Sequence, residues 1–302
     1  MKREAAKLTA TTVFAALAAA ASPAQAQESR WQPFISVTPV YEGKADLDNG
    51  GDFSQWSMLL RGGVAGDLGG GNRAGVTLNY DYSNYSFSNP AGFGGVAPWG
   101  IVQRYGVAVP LSFALRDGWS LGVIPSVDWF KENGASTSDS LAWGGIVSAT
   151  KRFADGNLIG LGVGVYDRIE KVSALPFLIV DWRFSDRWRL INPLAAGPTG
   201  PAGLELDYRL NSDWELGVGA AFRSSRFRLS KTGPVPDGVG VDRGMPVFLR
   251  ATRGLGAQSQ LHLYAGVVAA GELRVENSSG YLLQKTDYDP APFVAATFVA
   301  RF

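Results

Sequence analysis

The sequence contains no cysteine, one histidine and almost no charge excess, with 28 Lys+Arg against 27 Asp+Glu in 302 residues. Without cysteine there are no disulfides, thiolate metal sites or cysteine nucleophiles, and no acyl-modified lipoprotein terminus. A formal charge of +1 gives no electrostatic footprint for nucleic acid, which is not expected as a partner. A Walker-type phosphate loop and a G-x-S-x-G elbow are also missing. After the N-terminus no stretch reaches the ~20 apolar residues that a membrane helix needs. Yet 46% of the residues are hydrophobic, too many for a disordered chain. What the sequence does have is glycine and rings: 38 Gly, 9 Trp, 10 Tyr and 16 Phe, at a mean hydropathy of zero.

Lys2, Arg3 and Lys7 precede an apolar stretch over 8–21, which Ser22-Pro23 breaks before Ala24-Gln25-Ala26. A basic start, a short apolar run and a small-x-small site are the parts of a secretory signal, with cleavage expected after Ala26. The expected organisation is therefore a signal peptide over 1–26 and a single exported domain over 27–302. Removing three bases and Glu4 takes the formal charge from +1 to −1.

Beyond that point the sequence alternates with period two, the signature of half-buried strands. Val76, Leu78, Tyr80 and Tyr82 share one face, opposite Thr77, Asn79, Asp81 and Ser83. Tyr105, Val107, Val109, Leu111 and Phe113 form a second apolar row, and Trp119, Leu121, Val123, Pro125, Val127 and Trp129 a third. Connections fall into two kinds. Tight ones such as Arg116-Asp117-Gly118, Ala154-Asp155-Gly156-Asn157, Ser185-Asp186-Arg187 and Asn211-Ser212-Asp213 carry hairpin-turn chemistry. Between them lie longer polar connections, including 42–52, 88–100, 132–140, 195–200, 231–244 and 277–287. Short and long connections alternate strictly, which describes an up-and-down antiparallel meander. The expected fold is all-β with about 14 strands, near 31–41, 53–66, 73–87, 101–115, 119–131, 141–153, 158–167, 172–184, 188–194, 201–210, 214–230, 245–253, 259–276 and 288–302. Merging or splitting one strand would give 12 or 16.

Lipid is the solvent that suits the apolar faces. The opposite faces carry small and charged residues together, namely Asp181, Arg183, Glu205, Asp207, Arg209, Glu215, Arg223 and Arg250. Trp31, Trp119, Trp188 and Trp214 gather at the short-turn end, with Trp129 and Tyr166 toward the other, as interfacial girdles would. Closing the sheet into a barrel satisfies the backbone groups that hydrocarbon leaves without water. The last residues, Phe293-Val-Ala-Ala-Thr-Phe-Val-Ala-Arg-Phe302, put Val294, Ala296, Phe298 and Ala300 on one face and finish on an aromatic. This resembles the C-terminal signature of Gram-negative outer-membrane β-barrels, and implies recognition of Phe298 and Phe302 by the barrel-assembly machinery. Asp181-Trp182, Ala202-Gly203-Leu204, Tyr264-Ala265-Gly266, Gly271-Glu272-Leu273, Ala291-Pro292-Phe293 and Arg301-Phe302 resemble one family of uncharacterised outer-membrane barrels, which carries no established activity. The resemblance implies the outer membrane as the location and its lipid as a partner.

Little in the sequence reads as catalysis. His262 alternates with Leu261 and Leu263 and so should face the lumen. A hydrolase would pair it with Ser112, Ser126, Ser148 or Ser224, and no spacing selects one. Asp46 to Asp52 resembles the start of a calcium loop, but Ser57 stands where the bidentate Glu belongs. Arg223, Arg226 and Arg228 read first as partners of Glu205, Asp207 or Glu215, and second as an anion-attracting ring. No metal or cofactor is expected. The leading expectation is a single-copy barrel passing a small solute, passively or by facilitation, with 231–244 and 88–100 as plug or constriction loops. A closed barrel with a structural or surface role comes next, and a lipid-modifying enzyme last.

Overall fold

The computed structural model describes residues 31–302, so the expected signal peptide lies outside the described residues. Fourteen antiparallel strands follow one another: β1 Gln32–Asp46, β2 Asp52–Gly69, β3 Asn72–Ser88, β4 Ile101–Ala108 continued by Leu111–Ala114, β5 Trp119–Glu132, β6 Leu141–Arg152, β7 Leu158–Arg168, β8 Val172–Arg183, β9 Trp188–Ile191, β10 Gly203–Arg209, β11 Trp214–Ala221 continued by Arg223–Arg228, β12 Val239–Gly254, β13 Ser259–Glu276, and β14 Leu282–Tyr288 continued by Ala291–Arg301. Each pairs with the next, and β14 pairs back onto β1 from Phe34↔Arg301 to Glu42↔Phe293. The sheet is thus a closed barrel, as the alternation predicted.

Two strands begin earlier than expected. β12 starts at Val239 and β14 at Leu282, so much of 231–244 and 277–287 is strand. A bulge between Arg243 and Met245 explains the first. An extra residue shifts the parity of a strand, and the alternation read from the sequence stops there. The short turns behave as their residues dictate: Asp117 takes φ 58° and Gly118 φ 74° between β4 and β5.

The apolar rows face outward. Val76, Leu78 and Tyr80 on β3 are exposed, while Thr77 and Asp81 are buried inside. A closed ring of exposed apolar side chains far exceeds the few hundred Å² patches of water-soluble proteins. Hydrocarbon is the medium in which it is stable. Trp119 and Trp129 stand at the two ends of the outward row of β5. Ten residues span about 33 Å along a strand, or about 25 Å of height at a tilt near 40°, which is the apolar band of a transmembrane barrel. Around the upper edge Trp56 meets Tyr82 at 5.6 Å and Tyr105 stacks on Trp129 at 5.5 Å. Tyr166 does not join them. It shares a row with Gly160, Gly162 and Gly164, and its register partner Gly144 belongs to the inner face of β6, so it faces the lumen.

Candidate functional site

The candidate site is the lumen, which is built in three zones. A chain of alternating charge crosses β2 to β5: Arg61 pairs with Asp81, Asp81 lies 3.6 Å from Arg104, and Arg104 lies 2.9 Å from Asp128. Cross-strand neighbours on one face of a sheet are close enough to pair directly, so alternating signs along the ladder satisfy each other in turn.

The second zone lies toward the short-turn end of β8 to β13. Arg189 holds Asp181 through two bonds of 2.6 Å. Arg250 donates to Glu205, to Asp207 at 2.9 Å, to Glu215 at 3.1 Å and to the Thr252 hydroxyl at 2.6 Å. A guanidinium only donates, so His262 Nδ1, 3.1 Å from Arg250, is an acceptor and the ring proton sits on Nε2. Gly217 is required here, because a Cβ would run into the Glu205 and Asp207 carboxylates. One guanidinium faces three carboxylates, and Glu205 Oε2, Asp207 Oδ2 and His262 Nε2 are buried without a protein partner.

Among the expected lumen residues, the cluster thus joins Glu205, Asp207, Glu215, Arg250 and His262, with Asp181 on Arg189 nearby. Arg183 lies opposite Arg189 at the exposed short-turn mouth, and Arg209 opposite Glu215. Ser112, Ser126, Ser148 and Ser224 stand on β4, β5, β6 and β11, strands that do not pair with β13, and His262 lies on Thr252 and Arg250 instead.

The third zone fills the long-loop end with apolar side chains. Trp99 is its hub, with ring centroids 5.2 Å from Phe227, 5.7 Å from Tyr85 and 5.6 Å from Phe87. Phe53, Phe93, Leu229, Leu273, Val275 and Tyr288 belong to the same cluster. Below it Asp242 accepts from Tyr85 at 2.9 Å and Tyr288 at 3.3 Å, and Arg223 pairs with Glu42 and, at 3.8 Å, with Asp242.

The arginine run therefore works differently from either reading. Arg223 turns to Glu42 and Asp242 rather than to Glu205, Asp207 or Glu215. Arg226 donates to the Ile169 carbonyl (2.8 Å) and Glu276 (2.6 Å). Arg228 reaches the carbonyls of Asp139, Asp237 and Ser278 and the Glu170 carboxylate, tying three long connections and the β7–β8 turn together beside a rim cavity of about 370 Å³. Their donors are committed to protein acceptors, so these two arginines form no ring around an aqueous pore.

The loops that occlude the barrel also differ from expectation. From 88–100, Phe93 and Trp99 enter the apolar cluster; of the other candidate, Val235 packs against that cluster while much of 231–237 stays exposed. The main inward segment is 192–202, which turns into the barrel where β9 stops. Ala196 and Thr199 are buried, and the Ala196 carbonyl accepts from Thr38 on β1 at 2.9 Å. Asn192 anchors the segment: Oδ1 accepts from Val180 N–H (2.9 Å), and Nδ2 donates to the carbonyls of Leu178 (2.8 Å) and Gly203 (2.9 Å). The sequence signal for it was the weak strand 188–194 followed by a proline- and glycine-bearing stretch.

No protein-family model matches the sequence, and no curated protein does. The fold is similar to the crystal structure of an outer-membrane channel from Pseudomonas putida F1, with TM-score 0.53 and 13% identity over 93% of this chain and 100% of that one. The toluene transporter TodX of P. putida gives TM-score 0.43 and 10% identity over 92% and 91%. The translocator domain of the autotransporter NalP from Neisseria meningitidis gives 0.37 and 14% over 90% and 90%. The first likeness shows the fold: an outer-membrane-type β-barrel.

Proposed function

We propose that the chain is an outer-membrane channel, present as a single copy, for passive or facilitated passage of a small solute. The observation that carries this reading is the occlusion by 192–202. A 14-stranded barrel is too wide for strand side chains alone to fill. This one is closed by a chain segment that crosses to β1, where Thr38 bonds Ala196. A segment held that way can be displaced, whereas a packed core of strand side chains cannot without unfolding. The charged inner faces of β2–β5 and β8–β13 give a displaced lumen a wet surface.

Bilayer recording tests the reading. The folded protein should give small, resolvable current steps, and deleting 193–201 should enlarge them. A deletion variant that folds and inserts yet conducts nothing would overturn it. The apolar plug around Trp99 favours the second reading, a closed barrel with a surface role, and that outcome would select it. An enzymatic role is the weakest, because His262 is engaged by Arg250 and Thr252. Assembly would read the outward Phe298 and terminal Phe302 of β14, so deleting Phe302 should lower the inserted yield.

A further inference from the structure

One part of the outer wall is charged at the height where β1 to β5 are aromatic. Trp31 and Trp119 mark the lower belt, and ten residues further along the chain stand Tyr41 and Trp129. β12 keeps the same spacing. Arg253 lies over the Trp214 ring at 5.4 Å, and ten residues above it stands Arg243. Gly244 turns inward, where an added Cβ would meet Val268, so Arg243 shares the outer face with the exposed Met245 and Val247. Arg243 is therefore level with the outer headgroups, at the top of an apolar row.

Its neighbours complete the patch. Glu272 on β13 lies opposite both Arg243 and Asp287 of β14, and Arg274 lies opposite Lys285. Leu273 is fully buried in the inner cluster, which puts Glu272 and Arg274 on the outside. Three cations converge on Glu272 and cover it. Arg243 Nε lies 2.6 Å from Oε1, Arg274 donates to both oxygens, and Lys285 Nζ lies 2.8 Å from Oε2. Asp287, the other acid of the patch, is exposed and 3.5 Å from Lys285. Three positive charges against two negative leave an excess of one.

This is more cation than Glu272 needs. Arg274 and Lys285 stand directly opposite each other on paired strands, an arrangement that is destabilising for like charges. One buried carboxylate does not offset all three, and Arg243 and Lys285 keep 40% and 41% of their side chains exposed. An anion outside the protein would relieve the repulsion. Two guanidinium forks and a lysine point charge together suit the oxygens of a phosphate. At this height the phosphate is that of a lipid headgroup, whose chains would run down Met245, Val247 and Leu249, all exposed.

We infer that Arg243, Arg274 and Lys285, held in place by Glu272, bind a phosphate of a phosphorylated glycolipid in the outer leaflet. The site lies on the outer wall, so it is independent of whether the lumen conducts.

The folded barrel in detergent is titrated with lipopolysaccharide, with the same lipid stripped of its phosphates, and with inorganic phosphate, and bound lipid is read by native mass spectrometry. Lipopolysaccharide should bind about tenfold or more tightly than its dephosphorylated form. Arg243→Gln/Glu272→Gln/Arg274→Gln/Lys285→Gln removes the patch without stranding the buried carboxylate, and should erase that difference. Lys285→Gln alone leaves Glu272 on both arginines and should weaken binding several-fold, which keeps the test decisive if the fourfold variant does not fold. Equal binding of the two lipid forms overturns the site. So does parental binding by the fourfold variant, or by Lys285→Gln where only that variant folds. Inorganic phosphate that displaces the lipid at equal concentration would make this a free-anion site and overturn the lipid assignment.

Discussion

Thr38 and Ala196 are joined across the lumen by a hydrogen bond of 2.9 Å, although 158 positions of sequence separate them. The Thr38 hydroxyl also lies 2.9 Å from Thr297 Oγ1, and the carbonyl, which can only accept, takes its proton. Thr38→Val keeps the shape and removes the donor. Leaving a buried carbonyl without a partner costs about 1–3 kcal/mol, and 1.4 kcal/mol is about tenfold in the population of the displaced segment. Open events in single-channel records should become about tenfold more frequent. An unchanged record would show that the tether does not hold the segment.

Arg250 pairs with both Glu205 and Asp207, which are almost fully buried. Arg250→Met strands them. Breaking a buried ion cluster from one side costs about 3–5 kcal/mol, so the urea midpoint of the folded gel species should fall sharply. Adding Glu205→Gln and Asp207→Asn should restore most of it. A triple variant no better than the single would mean that packing, not charge, sets the loss.

Glu132 binds two loops at once, accepting from Gly100 N–H at 2.9 Å and from Ser230 N–H at 2.8 Å. Bonds to a charged acceptor contribute about 1.5–3 kcal/mol each, so Glu132→Ala should speed hydrogen exchange at both amides by about tenfold or more. Acceleration at only one would show that the loops move independently.

Val147 faces Val123 across the outer surface, between the levels of Trp119 and Trp129. An arginine near the bilayer midplane costs about 2–4 kcal/mol. Val147→Arg should therefore slow insertion into vesicles and lower the stability of the inserted barrel. Insertion at the parental rate and stability would place this face away from lipid.

The strand number and the outward rows on β3, β4 and β5 were legible because each depends on alternation within one strand. Tyr166 was legible too: its parity matches Gly160, Gly162 and Gly164, and only its ring suggested a girdle. The starts of β12 and β14 were hidden by the Arg243–Met245 bulge and the Asp289-Pro290 break, which interrupt the parity that marks a strand. The inward course of 192–202 was marked in the sequence only by the short strand 188–194 and the proline- and glycine-bearing stretch after it, and its path was not legible. It depends on Asn192 meeting Leu178, Val180 and Gly203 on other strands, and no local pattern encodes those meetings.

The shortness of β9 also has a mechanical meaning. Three residue pairs to β8 and four to β10 are what join an eight-stranded sheet to a five-stranded one on that side, while the other seam, between β1 and β14, extends from Phe34↔Arg301 to Glu42↔Phe293. Under heat or pulling force the cylinder should unzip at β9, as two stiff shells hinged along β1 and β14.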